Sequence, residues 1–207
     1  MRKICGVLFV LAIFMCASTS VHATLLFDYR NLGSDTLTVD GVTSTATATG
    51  GSLFNNQDGY GVDGNGSTEI NYDETLTIDF GRDVLLESIL VTNSDGGNDD
   101  LIEMWVDGVI FNFTTDFGNN HPENMTARST FAGTTNWWIL DFTGLGVVGT
   151  EFTFQIPLGS QAFGTNGSEY TIGYMEVAPV PEPSTMLLLG AGLAGLAGVT
   201  WRRRKNG

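Results

Sequence analysis

Met104-Trp105-Val106-Asp107-Gly108-Val109-Ile110-Phe111 shows the construction of the whole body of the chain. Two apolar, partly β-branched runs flank an Asp-Gly pair. Asp-Gly supplies the two positive φ angles that a tight type I′ turn needs, so the stretch reads as a β-hairpin. Leu37-Thr38-Val39-Asp40-Gly41-Val42-Thr43 repeats the pattern. Outward from these hairpins, further strands are expected at Leu25–Tyr29, Glu69–Tyr72, Thr75–Phe80, Leu85–Thr92, Trp137–Phe142, Phe152–Ile156 and Tyr170–Val177. In Thr75–Phe80, Leu76, Ile78 and Phe80 alternate with Thr75, Thr77 and Asp79, the period of a half-buried strand. No segment between the two ends of the chain keeps a helical period over three turns, and no internal repeat is visible. The expected fold is all-β: a single β-sandwich domain of jelly-roll type.

Each end of the chain carries a different composition. Arg2 and Lys3 precede the apolar run Ile4–Ala17, and Val21-His22-Ala23 places acceptable residues at a signal peptidase site. Residues 1–23 therefore read as a secretory signal peptide, removed after Ala23. Ile13-Phe14-Met15 before Cys16 lacks the small residues of a lipobox. Both cysteines, Cys5 and Cys16, fall in the segment to be removed, so the expected mature chain has no disulfide and no thiol chemistry.

At the other end, Val180-Pro181-Glu182-Pro183-Ser184-Thr185 is followed by an uncharged stretch to Trp201 and then by Arg202-Arg203-Arg204-Lys205. As a helix, residues 185–201 would span about 25 Å at ~1.5 Å per residue. That is slightly short of a hydrocarbon core of ~30 Å, so the span fits a locally thinned bilayer. Gly190, Ala191, Ala194, Gly195 and Gly198 put small residues at four-residue spacing, a face that lets another helix approach, although Gly and Ala simply dominate this stretch. The cationic cluster after the span stays in the cytoplasm by the positive-inside rule, which leaves the body outside.

The ordered combination of motif 180–185, the Leu-Leu-Gly-x-Gly-Leu run at Leu188–Leu193 and the basic tail 202–205 resembles the PEP-CTERM sorting signal of Gram-negative bacteria. The resemblance covers residues 180–207. It implies recognition by an exosortase, a membrane protease-transpeptidase, with cleavage near Pro181-Glu182-Pro183. It also implies an inner-membrane-anchored precursor, delivery to the cell surface or extracellular matrix, and a link to exopolysaccharide. A second, looser similarity runs through Gly61-Val62, Glu69-Ile70-Asn71, Glu74-Thr75-Leu76 and Phe80, a pattern seen in many PEP-CTERM proteins. It implies a shared β-sandwich and no defined ligand.

Residues 24–179 form the body. All 23 acidic residues except Glu182 lie in it, against Arg30, Arg82 and Arg128, a formal balance of −19. Such a surface repels nucleic acid and anionic lipid and attracts cations. Two loops offer oxygen ligands: Asp58–Glu69 and Asn93–Asp100. Calcium takes six to eight oxygens from flexible loops of this composition. Asp63, Asn65, Ser67, Glu69, Asn71 and Glu74 fall at EF-hand spacing, with Ile70 at the usual apolar position. Thr68 stands where that loop needs Gly, and strands flank it, so an EF-hand is excluded. Asp63, Asn65, Glu69, Asp95, Asn98 and Asp99 are the candidate calcium ligands, against the ordinary use of Asp, Asn and Gly in turns.

The mature body has no Cys and no Lys, and its sole histidine is His121 in Asn119-Asn120-His121-Pro122. No Gly-x-Ser-x-Gly elbow accompanies it, and no His cluster suits zinc. The one enzymatic chemistry left is a carboxylate pair on a glycan. Trp105, Trp137 and Trp138 are candidates for stacking on sugar rings. Trp137 and Trp138 point to opposite faces of a strand, so only one need enter the core. The expectation is a non-enzymatic, exosortase-sorted structural or binding component of an extracellular polysaccharide. Its alternatives are a calcium-dependent carbohydrate-binding module and, behind that, a glycan hydrolase or lyase.

Overall fold

The computed structural model describes residues 23–64, 67–92, 101–114, 128–131, 137–156, 169–181 and 189–193. Its strands are β1 (Leu25–Asp28), β2 (Thr36–Val39), β3 (Val42–Thr49), β4 (Ser52–Asn55), β5 (Tyr60–Asp63) and β6 (Thr75–Thr92). They continue with β7 (Leu101–Val106), β8 (Val109–Thr114), β9 (Arg128–Phe131), β10 (Trp138–Asp141), β11 (Val148–Gln155) and β12 (Thr171–Pro179). Every pairing among them is antiparallel.

The 18-residue β6 organises the rest. Its first half, Thr75–Asp79, pairs β3 on one edge and β11 on the other, and β11 continues past the bend to Val84 and Leu85. Its second half pairs β12 and β10, at Val84–Thr92 and Ser88–Val91 respectively. One wing therefore runs β2-β3-β6-β11-β7-β8. The other runs β9-β10-β6-β12, with β1 and β5 sharing the far edge of β12 and β4 beyond β5. The strand turns between wings near Gly81, whose φ is +62° and whose N–H donates to Asp79 Oδ1 at 2.7 Å. A strand that bends from one sheet into another is a normal way to make a sandwich corner.

The wings face each other across an apolar core. Leu76, Ile78 and Phe80 point in from the first half of β6, as the alternation predicts. In the second half the inward set runs Val84, Leu86, Ile89, Val91. The change of parity is a β-bulge: Glu176 pairs Ser88 and Val177 pairs Leu86, which leaves Glu87 extra. Bulges of this kind re-aim side chains while the ladder continues. Aromatic rings close the space between wings. Phe80 meets Phe27 edge-on at 5.0 Å and Phe152 at 5.8 Å. Phe113 of β8 meets Phe142, just beyond β10, at 5.3 Å. The arrangement is sandwich-like, as the strand pattern implies.

Both Asp-Gly hairpins form as expected. Val39 pairs Val42 and Val106 pairs Val109 around the turns. The turn residues have φ of 46° and 79° at Asp40-Gly41, and 48° and 82° at Asp107-Gly108, the type I′ signature. Other expectations need correction. Thr75–Phe80 and Leu85–Thr92 are one strand, because Gly81-Arg82-Asp83 bends the chain without ending the ladder. Glu69–Tyr72 contributes only a single bridge, Ile70 to Tyr170. Within Asp58–Glu69, read as a loop, Tyr60–Asp63 is β5. There Gly61 is not punctuation: a Cβ would lie 2.0 Å from the Thr68 carbonyl oxygen, so glycine permits a close backbone approach. Among the described residues no helix is long and apolar enough to cross a membrane. Of the expected span 185–201 only 189–193 are described, as helix; the remainder, like 1–22, lies outside the described residues.

Two tests address this core. Phe80→Ala removes the ring joining Phe27 to Phe152 and is expected to cost about 3–5 kcal/mol, read as a lower urea midpoint with unchanged slope. Tyr60 is buried, and its hydroxyl donates to the Ser34 carbonyl at 2.6 Å. Burial, with a smaller contribution from Asp35, pushes its phenol from 10.0 up to about 12. The folded value lies above the unfolded one. The stability from a neutral Tyr60 is therefore complete below pH 10.0 and is lost as pH rises toward about 12. Tyr60→Phe should flatten that loss in alkaline unfolding curves; an unchanged curve would place the alkaline sensitivity elsewhere.

Candidate functional site

On the outer face of the first wing, polar side chains line up across five strands. Thr47, Thr77, Thr153, Trp105 and Ile110 occupy consecutive register positions on β3, β6, β11, β7 and β8. The adjoining row is Thr49, Thr75, Gln155, Glu103 and Asn112. On β6, β7 and β11 each of these positions alternates with buried residues of its strand.

Trp105 is the aromatic centre of this face and is half-buried. Its indole Nε1–H donates to Glu103 Oε1 at 2.6 Å. The Gln155 amide donates to the same oxygen. The Thr77 and Thr153 hydroxyls bond each other at 3.1 Å. Beside the ring lies an open depression of about 270 Å³, lined by Trp105, Asp107, Gly108, Glu151, Thr153 and Gln155. Trp105 supplies the aromatic surface of that lining, and Asp107, Glu151, Thr153 and Gln155 its polar groups.

The other candidate tryptophans have different surroundings. Trp138 is 7% exposed and belongs to the interior. Trp137 is half-buried, with the Arg30 guanidinium 5.5 Å from its ring centroid. As expected, the adjacent pair divides between faces. Arg30 donates through Nε and Nη2 to the two carboxylate oxygens of Asp28, at 2.8 and 2.6 Å. That hydrogen bonding, opposed by partial burial, holds the Asp28 carboxyl below its ordinary value.

The candidate calcium residues are only partly described. Asp63 is exposed at the end of β5. Glu69 Oε2 accepts from Ser67 Oγ at 2.6 Å, and Asn71 Nδ2 donates to the same hydroxyl at 2.8 Å. Asn65, Asp95, Asn98 and Asp99 lie outside the described residues, as does His121. Among the described residues no three His, Cys, Asp or Glu side chains are grouped to hold a metal. The loop has an organiser of its own, Glu74. This carboxylate is 1% exposed and accepts the Asn71 N–H through Oε2 at 2.8 Å. Burial of Glu74 could not be read from a sequence in which it resembles every other acidic turn residue.

The C-terminal signal begins inside the fold. Pro179 still pairs with Val84, and the Val180 N–H donates to the Asp83 carbonyl at 3.2 Å. Arg82 Nη2 donates to the Val180 carbonyl at 3.5 Å. Pro181 is the last described residue before the helical turn 189–193; Glu182, Pro183, Ser184, Thr185 and Arg202, Arg203, Arg204, Lys205 lie outside. Residues 179–205 match the PEP-CTERM protein-sorting motif family. The match is confined to this C-terminal segment, which carries the sorting motif expected from the sequence. No curated protein and no solved structure gives a significant match.

The charge of the body carries a measurable consequence. With a formal −19 over residues 24–179, divalent cations should raise the melting temperature by relieving self-repulsion. Because the described carboxylates do not converge, calcium and magnesium are expected to act alike. A calcium excess that disappears in Asp63→Asn with Glu69→Gln would instead assign a selective site to the first loop.

Proposed function

We propose that this protein is an exosortase-sorted cell-surface or extracellular-matrix component that binds exopolysaccharide through the outer face of its first wing. The sorting half of this reading is supported by the motif match at residues 179–205. The binding half rests on one observation: Trp105 flanks an open depression whose other side chains are hydrogen-bonding groups. Sugar rings offer an apolar C–H face and a rim of hydroxyls, and such a surface answers both.

The order of the paired strands supports a jelly-roll assignment. β1-β12-β6-β10 faces β6-β11-β7-β8, the eight-strand order of a jelly roll in which two successive strands have fused into β6. In this reading the anchored precursor sits in the inner membrane, and signal peptidase and exosortase remove the two ends. The body itself acts by binding; it performs no bond cleavage.

Intact-mass measurement on the protein from its native host tests the sorting. The expected species starts at Thr24 and lacks Arg202–Lys205. A steady-state species that keeps the basic tail would sink exosortase processing. For the body, retention on host polysaccharide should persist in EDTA, without release of reducing sugar. Loss of retention in EDTA would favour the calcium-dependent alternative, and reducing-sugar release the hydrolase.

A further inference from the structure

Resting on that reading of the outer face, we infer that the Trp105 depression takes an uncharged glycan and rejects polyuronates. The argument starts from the indole. Its N–H is committed to Glu103, so Trp105 offers its ring surface, an apolar platform, rather than a donor. One N–H of the Gln155 amide is likewise engaged by Glu103, which leaves its second N–H to donate and its oxygen to accept at a hydroxyl. Thr153 contributes a hydroxyl that can donate or accept. These groups match pyranose C–H bonds and hydroxyls, and nothing among them requires a charge on the ligand.

Among the described residues the charged groups at the rim all have one sign. Glu103 holds the indole, and Glu151 and Asp107 line the depression. Asp79 pairs with Glu151 across the ladder. The two arginines whose side chains are described are engaged elsewhere: Arg30 with Asp28 and Trp137, Arg82 with the Val180 carbonyl. A polyuronate carries a carboxylate on each sugar, so seating it here sets like charges together within a Debye length of about 8 Å. Like-charge juxtaposition is an effective means of rejecting the wrong partner. A neutral polymer meets no such penalty.

Affinity measurements on the full chain in detergent, with a soluble neutral β-glucan and with polygalacturonate, test the inference. The β-glucan should bind and polygalacturonate should not. Trp105→Ala should weaken β-glucan binding by about tenfold or more, while Trp105→Phe keeps most of it. Unchanged circular dichroism in Trp105→Ala shows that the fold is intact. Glu151→Gln with Asp107→Asn, the second compatible with the positive φ of that turn, should raise polygalacturonate affinity relative to β-glucan by about fivefold. Equal binding of both polymers by the parent, or an unchanged ratio in the double variant, overturns the ligand class while leaving a glycan face in place. If neither polymer binds, or Trp105→Ala changes nothing, the glycan-binding reading itself fails.

Discussion

Both wings hang on the pairing of β6 with four neighbours. A strand shared by two sheets gives the sandwich a covalent hinge, so the two wings are tethered to each other at its bend. The constraint fixes the core. Phe80, just before the bend, must face both wings, and it meets Phe27 from one and Phe152 from the other. Val84 and Leu86, past the turn, still face inward in the phase of Leu76, Ile78 and Phe80; the extra residue Glu87 then shifts the inward set to Ile89 and Val91 while the ladder with β12 continues.

The parts of the fold that were legible in the sequence are those with local causes. Asp40-Gly41 and Asp107-Gly108 encode their turns by backbone chemistry alone, and the alternation of Leu76, Ile78 and Phe80 declares its own buried face. Continuity through Gly81-Arg82-Asp83 was not legible, since three turn-forming residues read as a stop. β11 bridges the bend, pairing Asp79 before it and Val84 after it, with a register shift between Gly149 and Glu151. Nor was β5 legible: Tyr60-Gly61-Val62 lies among turn residues, and the reason for Gly61 is a carbonyl from Thr68, seven positions further along. The site divides the same way. Trp105 stands out by residue type. Its partnership with Glu103 is local, but Gln155, Thr153 and Glu151 join it through the register of β7 with β11, which no nearby pattern specifies.

The same division separates the two loops of oxygen ligands from the outer face. Composition alone made Asp58–Glu69 look like a ligand cage. In the fold that segment and the residues after it have other work: Tyr60–Asp63 is paired, Ser67 donates to Glu69 and accepts from Asn71, and the buried Glu74 accepts a backbone N–H. Thr75 and Thr77 declare an outward face by alternation, but only the register of β3, β6 and β11 brings Thr47, Thr49 and Thr153 beside them.

The exit of the chain has a mechanical meaning. β12 is flanked by β6 on one edge and by β1 and β5 on the other, and its ladder continues to the first residue of the sorting motif. Any tension transmitted through Pro181 is directed along β12, across hydrogen bonds that lie perpendicular to the strand. Those bonds are loaded in shear and share the load, instead of being peeled one at a time as at a free edge. Material tethered by this end pulls on the strand of the second wing held most firmly on both sides.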